Sequence, residues 1–302
     1  MKVPVAGSSS SLPDPEGPSA DRTPFTVAMA RALCVRRLAG AGIEQSGVEA
    51  ALLIEAVTGL DRHEQVLHPD RPLSGGERTS LAAMLQRRVL REPVQHIIGT
   101  APFYGLDLAV SSAVLVPRPE TERLVELVLD GLPAGPSTVL DVGTGSGAIA
   151  LAIKAERPDT EVWATDIDPN ALAVAQANAK SLGLGVEFRL SDLLADAAVA
   201  TVAARCDVLV ANLPYLPDED AATLQPEVRH DPPAALFGGV DGLGVAERLR
   251  VQASELLAPG ALIALELDPR NVSTMLSRMR GWSDARLETD LTGRERFVLA
   301  RR

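Results

Sequence analysis

From Ser137 onward the chain alternates strand-like and helix-like segments, and this alternation limits the possible folds more than any other feature. STVLDVG reads as a strand, AIALAIKAERP as a helix, EVWATDID as a strand and NALAVAQANAKSLG as a helix; VEFRLSD, CDVLVANLPY and GALIALELD supply later strands. Strands that alternate with helices build a parallel sheet covered on both faces, so the expected class is α/β. The last segment, LETDLTGRERFVLARR, has a strand-like end expected to pair at the sheet edge. No internal repeat is visible.

The rest of the 302 residues leaves room for a smaller second domain. Residues 1–25, rich in Ser, Pro, Gly and Asp, are expected to be a disordered tail. Residues 26–92 show helical spacing in three pieces, VAMARALCVRRLAGAGI, VEAALLIEAVTGL and GERTSLAAMLQRRVLRE, predicting a helical bundle with Leu33, Leu38, Ile54, Leu81 and Leu85 in its core. Residues 93–117 read as a hairpin linker, with FYGLDLAV and AVLVP as its strands and Ser111-Ser112 at its turn. The domain from 118 to 302 opens on a helix: Pro119 suits a first turn, Glu120 and Glu122 favour its dipole, and Leu124, Leu127 and Val128 recur at helical spacing.

Charge narrows the partners. The formal net charge is -11, and residues 101–302 alone hold 18 Lys+Arg against 29 Asp+Glu. Nucleic acid is bound mainly by cationic surface, so a direct nucleic-acid substrate is disfavoured. No long uncharged apolar run and no secretory leader occur, which predicts a cytoplasmic protein without a membrane partner; a monomer is expected. Cys34 and Cys206 lie far apart, without Cys or His companions at metal spacing, and read as buried small hydrophobes; no metal site is expected.

Two motifs carry chemistry. Asp141-Val142-Gly143-Thr144-Gly145-Ser146-Gly147 falls between the first core strand and its helix, where glycines let a ligand approach the backbone. Asp166, at the end of the next strand, can accept hydrogen bonds from both hydroxyls of a ribose. Together they indicate an adenosine-type cofactor, and both NAD and S-adenosylmethionine fit. Asp192 and Leu193, at the close of VEFRLSD, are assigned to the same cleft. Asp168 is the better candidate for the helix N-cap ahead of Pro169.

The second motif chooses between the cofactors. Asn212-Leu213-Pro214-Tyr215 follows the fourth core strand directly, and Tyr215 is one of two tyrosines in the chain. An amide or aromatic amine nitrogen is planar and a poor nucleophile. The Asn212 side-chain oxygen and the Leu213 carbonyl can accept hydrogen bonds from such an NH2 group, aim it, and stabilise positive charge developing on it. Pro214 stiffens the loop and Tyr215 is expected to wall the planar group by stacking. A hydride-transfer enzyme gains nothing from this loop, and methyl transfer from S-adenosylmethionine is the better reading.

These residues resemble the release-factor glutamine N-methyltransferases. The resemblance spans residue 26 to the C-terminus and includes Glu92-Pro93-Val94-Gln95-His96-Ile97-Ile98-Gly99, Phe103-Tyr104-Gly105-Leu106 and Val116-Pro117-Arg118-Pro119-Glu120-Thr121-Glu122. It continues through Val228 to Pro232, Ala235-Leu236, Gly238-Gly239, Asp241-Gly242 and Asp290 to Arg296. It implies a Rossmann-like class I methyltransferase core, a helical N-terminal domain that recognises substrate, and a peptide-chain release factor as partner, methylated on the glutamine of its Gly-Gly-Gln motif. Carried over by position, Asp141, Gly143 to Gly147, Asp166, Asp192, Leu193 and Asn212 hold S-adenosylmethionine. Asn212 to Tyr215 clasp the glutamine amide, and Arg118 and Glu122 border the cleft.

The chain departs from the family pattern twice. Leu213 replaces the first proline of Asn-Pro-Pro-Tyr, which brings the tetrapeptide nearer the form used by RNA adenine N6-methyltransferases. Glu266-Leu267-Asp268 stands where Glu-x-Gly is usual, which leaves a paralogue methylating a small-molecule amide, amine or acid as an alternative.

Overall fold

The computed structural model describes residues 24–302, and nearly all of the expected tail lies outside them. The chain divides between Ile98 and Gly99 into two compact units. Among the described residues no helix is long and apolar enough to cross a membrane.

The first unit is helical: α1 (Val27–Gly40), α2 (Ser46–Thr58), α3 (Arg62–Leu67), α4 (Gly75–Val89) and α5 (Val94–Ile98). Asp61 with Glu64 and Ser74 with Glu77 form capping boxes that satisfy the first N–H groups of α3 and α4. Leu38, Ile54, Leu81 and Leu85 are buried as expected, whereas Leu33 is only partly buried. The buried stripe of α1 runs Val27, Ala30, Cys34, Leu38, and Leu33 falls one position off it. Helices α3 and α5 are too short for their periodicity to register in the sequence. Arg88 is buried against Glu49 in an ion pair that ties α4 to α2.

The second unit begins with a hairpin of β1 (Thr100–Phe103) and β2 (Leu106–Ala109). Its turn is Tyr104-Gly105, not Ser111-Ser112. Both turn residues have positive φ, +48° and +76°, the geometry of the two-residue turn that matches strand twist. Residues 113–117 form no strand. The Ser111 hydroxyl instead accepts the Ala113 N–H, and Val114 and Val116 pack with Ala101, Val110 and Ala171.

There follow α6 (Pro119–Gly131), β3 (Thr138–Val142), α7 (Ala148–Glu156), β4 (Glu161–Asp166), α8 (Pro169–Leu182), β5 (Glu187–Leu190), α9 (Ala197–Ala203) and β6 (Val208–Asn212). The chain ends with α10 (Gly244–Leu256), β7 (Leu262–Glu266), α11 (Val272–Arg278), β8 (Ser283–Thr289) and β9 (Glu295–Arg301). The strands form one sheet in the order β5-β4-β3-β6-β7-β9-β8, parallel through β7 and antiparallel thereafter. The strand-like C-terminal end, β9, therefore lies inside the sheet. The strand at that edge is β8, whose SDARLET is largely exposed and alternates only the small Ala285 and Leu287 with charged residues.

Alternation along β6 and β7 sorts their side chains by face. Val208, Val210, Leu262 and Ala264 meet Leu124, Val125, Leu127 and Val128 of α6; Leu209, Ala211, Ile263 and Leu265 meet Leu249 and Met275 of α10 and α11. Pro119 occupies the first turn of α6, so that turn comes down over the carboxyl ends of β6 and β7.

Candidate active site

Strand order reverses between β4-β3 and β6-β7, and in an open α/β sheet the crevice beyond the strand ends at such a point is where ligands bind. A cavity of about 300 Å³ opens there. One wall is the glycine-rich turn. The N–H groups of Gly143 and Thr144 both donate to the Thr165 carbonyl at 2.8 Å, stapling the turn to the end of β4. Gly143, Gly145 and Gly147 hold φ of +77°, +56° and +85°, a region that penalises any side chain.

Gly143, Thr144, Gly145 and Ser146 line the cavity, whereas Asp141 and Gly147 shape it from behind. Asp141 is fully buried, and burial pushes its carboxyl up to about 7 against the opposing hydrogen bond from the Thr144 hydroxyl at 2.6 Å. Asp166 faces the cavity across the turn. Burial raises its pKa, and its oxygens accept the N–H groups of Gly145 at 2.9 Å and Asp168 at 3.0 Å. Asp168 is the N-cap of α8, accepting from Asn170 N–H at 2.8 Å. Asp192 and Leu193 line the same space, and Asp192 is held by Arg248 at 2.6 Å.

The opposite wall is the loop after β6. Asn212, Leu213 and Pro214 line the cavity, but Tyr215 does not: its ring packs against the apolar layer beneath α10 and α11, and burial, followed by the charge of Glu266, pushes its hydroxyl up. The stacking wall expected of Tyr215 is thus replaced by a supporting role. A second loop braces this one from outside. A Cβ at Gly238 would lie 2.5 Å from the Pro214 carbonyl oxygen, and one at Gly242 would lie 2.2 Å from that of Tyr215. Only glycine permits such approach, which explains the Gly-Gly-x-Asp-Gly block physically.

The first turn of α6 completes the site. Thr121 and Arg118 line the cavity; the Asn212 Nδ2 donates to Thr121 Oγ1 at 3.1 Å, and Arg118 pairs with buried Asp231 at 2.8 Å. Glu122 is a correction: it is not among the cavity-lining residues, and its carboxylate accepts the Tyr104 N–H at 2.8 Å, securing the hairpin turn. Sequence reasoning missed Thr121 and Arg248. Thr121 is separated from Asn212 by 91 positions, and only the register of α6 over the sheet brings them together.

The wall chemistry suits an adenosyl cofactor: close glycine backbone, a carboxylate at the end of β4, and apolar Ile149, Ile167 and Leu193. Beside Thr121 the cavity wall carries the Asn212 amide, which donates one N–H to the threonine and has a side-chain oxygen able to accept.

Both units of the chain are similar to known proteins. A family model described as PrmC N-terminal domain matches residues 30–99, and another described as methyltransferase small domain matches residues 121–229. The release factor glutamine methyltransferase of Deinococcus radiodurans is 45% identical over 269 residues, covering 88% of this chain and 95% of that protein. The protein of the same name from Caulobacter vibrioides is 41% identical over 267 residues, covering 87% and 92%. A crystal structure of the hMettl16 catalytic domain in complex with MAT2A 3'UTR hairpin 6 aligns with a TM-score of 0.54 at 16% identity, covering 74% of this chain and 81% of that one. At such low identity the likeness concerns the fold alone.

Proposed function

The chain belongs to the release factor glutamine methyltransferase family, and from that membership we propose that it methylates the glutamine side-chain amide in the Gly-Gly-Gln motif of a peptide-chain release factor, with S-adenosylmethionine as donor. The observation that carries this reading is the position of Asn212 on the cavity wall, with one N–H of its side chain donated to Thr121 Oγ1 at 3.1 Å and its side-chain oxygen an acceptor. Bound S-adenosylmethionine supplies an activated methyl group. Gly143 to Ser146, Asp166, Asp192 and Leu193 would hold it, with Asp166 as the ribose acceptor.

The chain's own work is on the nucleophile. A glutamine amide nitrogen shares its lone pair with the carbonyl, so it needs orientation and electrostatic help. The Asn212 oxygen and the Leu213 carbonyl accept its two N–H bonds, fixing the plane of the amide and stabilising the positive charge that grows on nitrogen. The proton passes to water afterwards, when the nitrogen is cationic and acidic, so no strong base is required. Pro214 limits movement of the loop, and Tyr215 anchors it to the core. Arg118, pinned by Asp231 at the cavity wall, offers a donor to the incoming peptide. The helical unit is assigned to recognition of the release factor, which would place the protein in the cytoplasm. The acidic balance of residues 101–302 favours a protein acceptor over RNA.

The test is incubation of the purified chain with labelled S-adenosylmethionine and a release factor, followed by mass spectrometry of the Gly-Gly-Gln peptide. The expected result is a gain of one CH2 on glutamine. Label found only on RNA or on a small metabolite would reject the assignment.

A further inference from the structure

Among the described residues, Leu193 is the one residue other than glycine that lines the cavity with a positive φ, +54°. The left-handed region is unfavourable for leucine, so the conformation persists only where its surroundings impose it. Part of the constraint is local: the Ser191 hydroxyl donates to the Leu193 carbonyl at 2.8 Å and accepts the Asp196 N–H at 3.1 Å. The rest comes from α10. Gln252 Oε1 accepts the Leu194 N–H at 3.0 Å, and Arg248 Nη2 donates to Asp192 Oδ2 at 2.6 Å. The two residues that flank Leu193 are thus each held by one side chain of α10, and those side chains stand four positions apart, on one face of the helix. Val245, three positions ahead of Arg248 on that face, lines the cavity together with the arginine.

We infer that Arg248 and Gln252 are positioning residues for the cofactor: from α10 they hold the Asp192–Leu194 bend in the shape that presents the Leu193 side chain and the Asp192 carboxylate to the adenosine end of S-adenosylmethionine. The sheet order places that end. The glycine-rich turn follows β3, Asp166 closes β4 and the bend follows β5, and these strands are consecutive neighbours, so a ligand with its ribose at Asp166 has the glycine turn on one side and the bend on the other. Apolar Ile167 and Leu193 beside the Asp192 carboxylate suit a flat base that bears an NH2 group. This role rests on the proposed seat of S-adenosylmethionine and not on the acceptor that is methylated.

The two side chains do different work. Arg248 takes Oδ2 of Asp192 and leaves Oδ1 able to accept from the ligand. Its ion pair is half-exposed, 54% on the arginine and 45% on the aspartate, and contributes little to the stability of the free protein, so its effect belongs to binding. Gln252 is not among the cavity-lining residues and acts only through the backbone, by fixing the peptide that follows the left-handed leucine. Without that bond residue 193 can relax toward negative φ, and the ligand must then restore the bend on binding.

Calorimetric titration of the full chain with S-adenosylhomocysteine, and with 5′-methylthioadenosine, which lacks the amino-acid end, tests this role on Gln252→Met, Gln252→Glu and Arg248→Met. Gln252→Met keeps the length of the side chain and loses its acceptor, and Arg248→Met loses the donor. Each should bind both ligands about 5-fold more weakly or worse, while thermal denaturation of the free Arg248→Met variant stays close to wild type. Gln252→Glu keeps an oxygen for the Leu194 N–H and should restore most of the affinity. In a Leu193→Asn background, where the side chain enters the left-handed region readily, the further loss from Gln252→Met should be smaller than in the wild-type background. Wild-type affinity in both methionine variants would overturn the role, as would equal losses in Gln252→Met and Gln252→Glu. A loss confined to S-adenosylhomocysteine would place the effect at the other end of the ligand and reject it, and tighter binding by Arg248→Met would show the arginine competing with the ligand for Asp192. The titrations contain no acceptor: a chain that binds S-adenosylhomocysteine without methylating a release factor sinks the proposed function, and the variants still decide the role of α10.

Discussion

Leu213 rests directly on Gly143: a Cβ built on the glycine would come within 2.7 Å of the leucine Cδ2. The loop after β6 and the glycine-rich turn are therefore in close contact at this pair. The proline that the family resemblance leads one to expect at position 213 would stiffen the loop by fixing φ. Leucine supplies rigidity by another route, because its side chain is 5% exposed and packs into the layer beneath α10.

Gly143→Ala should weaken cofactor binding by two separate effects, the methyl-to-leucine clash and the +77° backbone angle. Titration with S-adenosylhomocysteine is expected to show a loss of about 10-fold or more, from roughly 1–2 kcal/mol of backbone strain plus the clash. Adding Leu213→Ala removes the clash but not the strain, so affinity should recover only in part. The second substitution should itself lower thermal stability, since truncating a buried leucine costs about 2–5 kcal/mol. Full recovery of affinity would show that the backbone angle is irrelevant.

Asn212→Ala should reduce methyl transfer by about 10²-fold or more, the scale for losing one preorganised polar contact to developing charge. The Asn212 side chain makes a single hydrogen bond among the described residues, to Thr121 Oγ1, so the alanine variant should retain its fold and its melting temperature within a few degrees. A single-turnover rate close to wild type would remove Asn212 from the proposed mechanism.

Much of this site was legible before any coordinates. The glycine turn and Asp166 announce themselves because their chemistry is local: a strand end, a tight turn and a helix start lie within a few residues. Thr121 is visible only as one letter of a matching block. Its hydrogen bond with Asn212 depends on the placement of α6 over the sheet, which leaves no periodic trace. The hairpin turn failed for a related reason: Tyr104-Gly105 demands positive φ at a tyrosine, which residue preference argues against, while Ser111-Ser112 has the composition of a turn and forms one that joins no strands.

Strong acid should loosen the C-terminal hairpin. The Asp290 carboxylate is buried and accepts from the Thr292 hydroxyl, the backbone N–H groups of Thr292 and Arg294, and Arg296, and these bonds, led by the threonine hydroxyl, lower its pKa from 3.8 to about 2. A pKa depressed by folding stabilises the protein above the unfolded value and loses that contribution as pH falls through the folded value. Asp290→Asn should therefore lower the melting temperature at pH 7, and the gap to wild type should narrow between about pH 4 and pH 2. A gap independent of pH would mean that the charge of Asp290 is not what matters.

Both thiols should be inert in the folded protein. Burial pushes Cys34 and Cys206 up to about 12, and the thiolate is the reactive form. Treatment with an aromatic disulfide reagent at pH 8 should release no chromophore until denaturant is added, and then two equivalents, matching the cysteine count. Rapid labelling without denaturant would reveal local opening of α1 or of the segment ahead of β6.

Gly238 and Gly239 are neighbours that should respond to alanine for opposite reasons. At Gly238 the obstacle is crowding: a Cβ would lie 2.3 Å from the Gly242 carbonyl oxygen and 2.5 Å from that of Pro214. At Gly239 the space is open, with nothing within 4 Å, and the obstacle is a φ of +94°. Gly239→Ala should thus cost about 1–2 kcal/mol of stability through local backbone strain, and little activity in the surviving folded protein. Gly238→Ala should push on the Pro214 carbonyl and displace the acceptor loop, because backbone on both sides of the new methyl cannot rotate away. It is expected to lower the single-turnover rate about 10-fold or more, as misplacement of a reacting group by even a fraction of an ångström does, while cofactor affinity falls less. Equal losses of rate in the two variants, after correction for the folded fraction, would refute the bracing role of this loop.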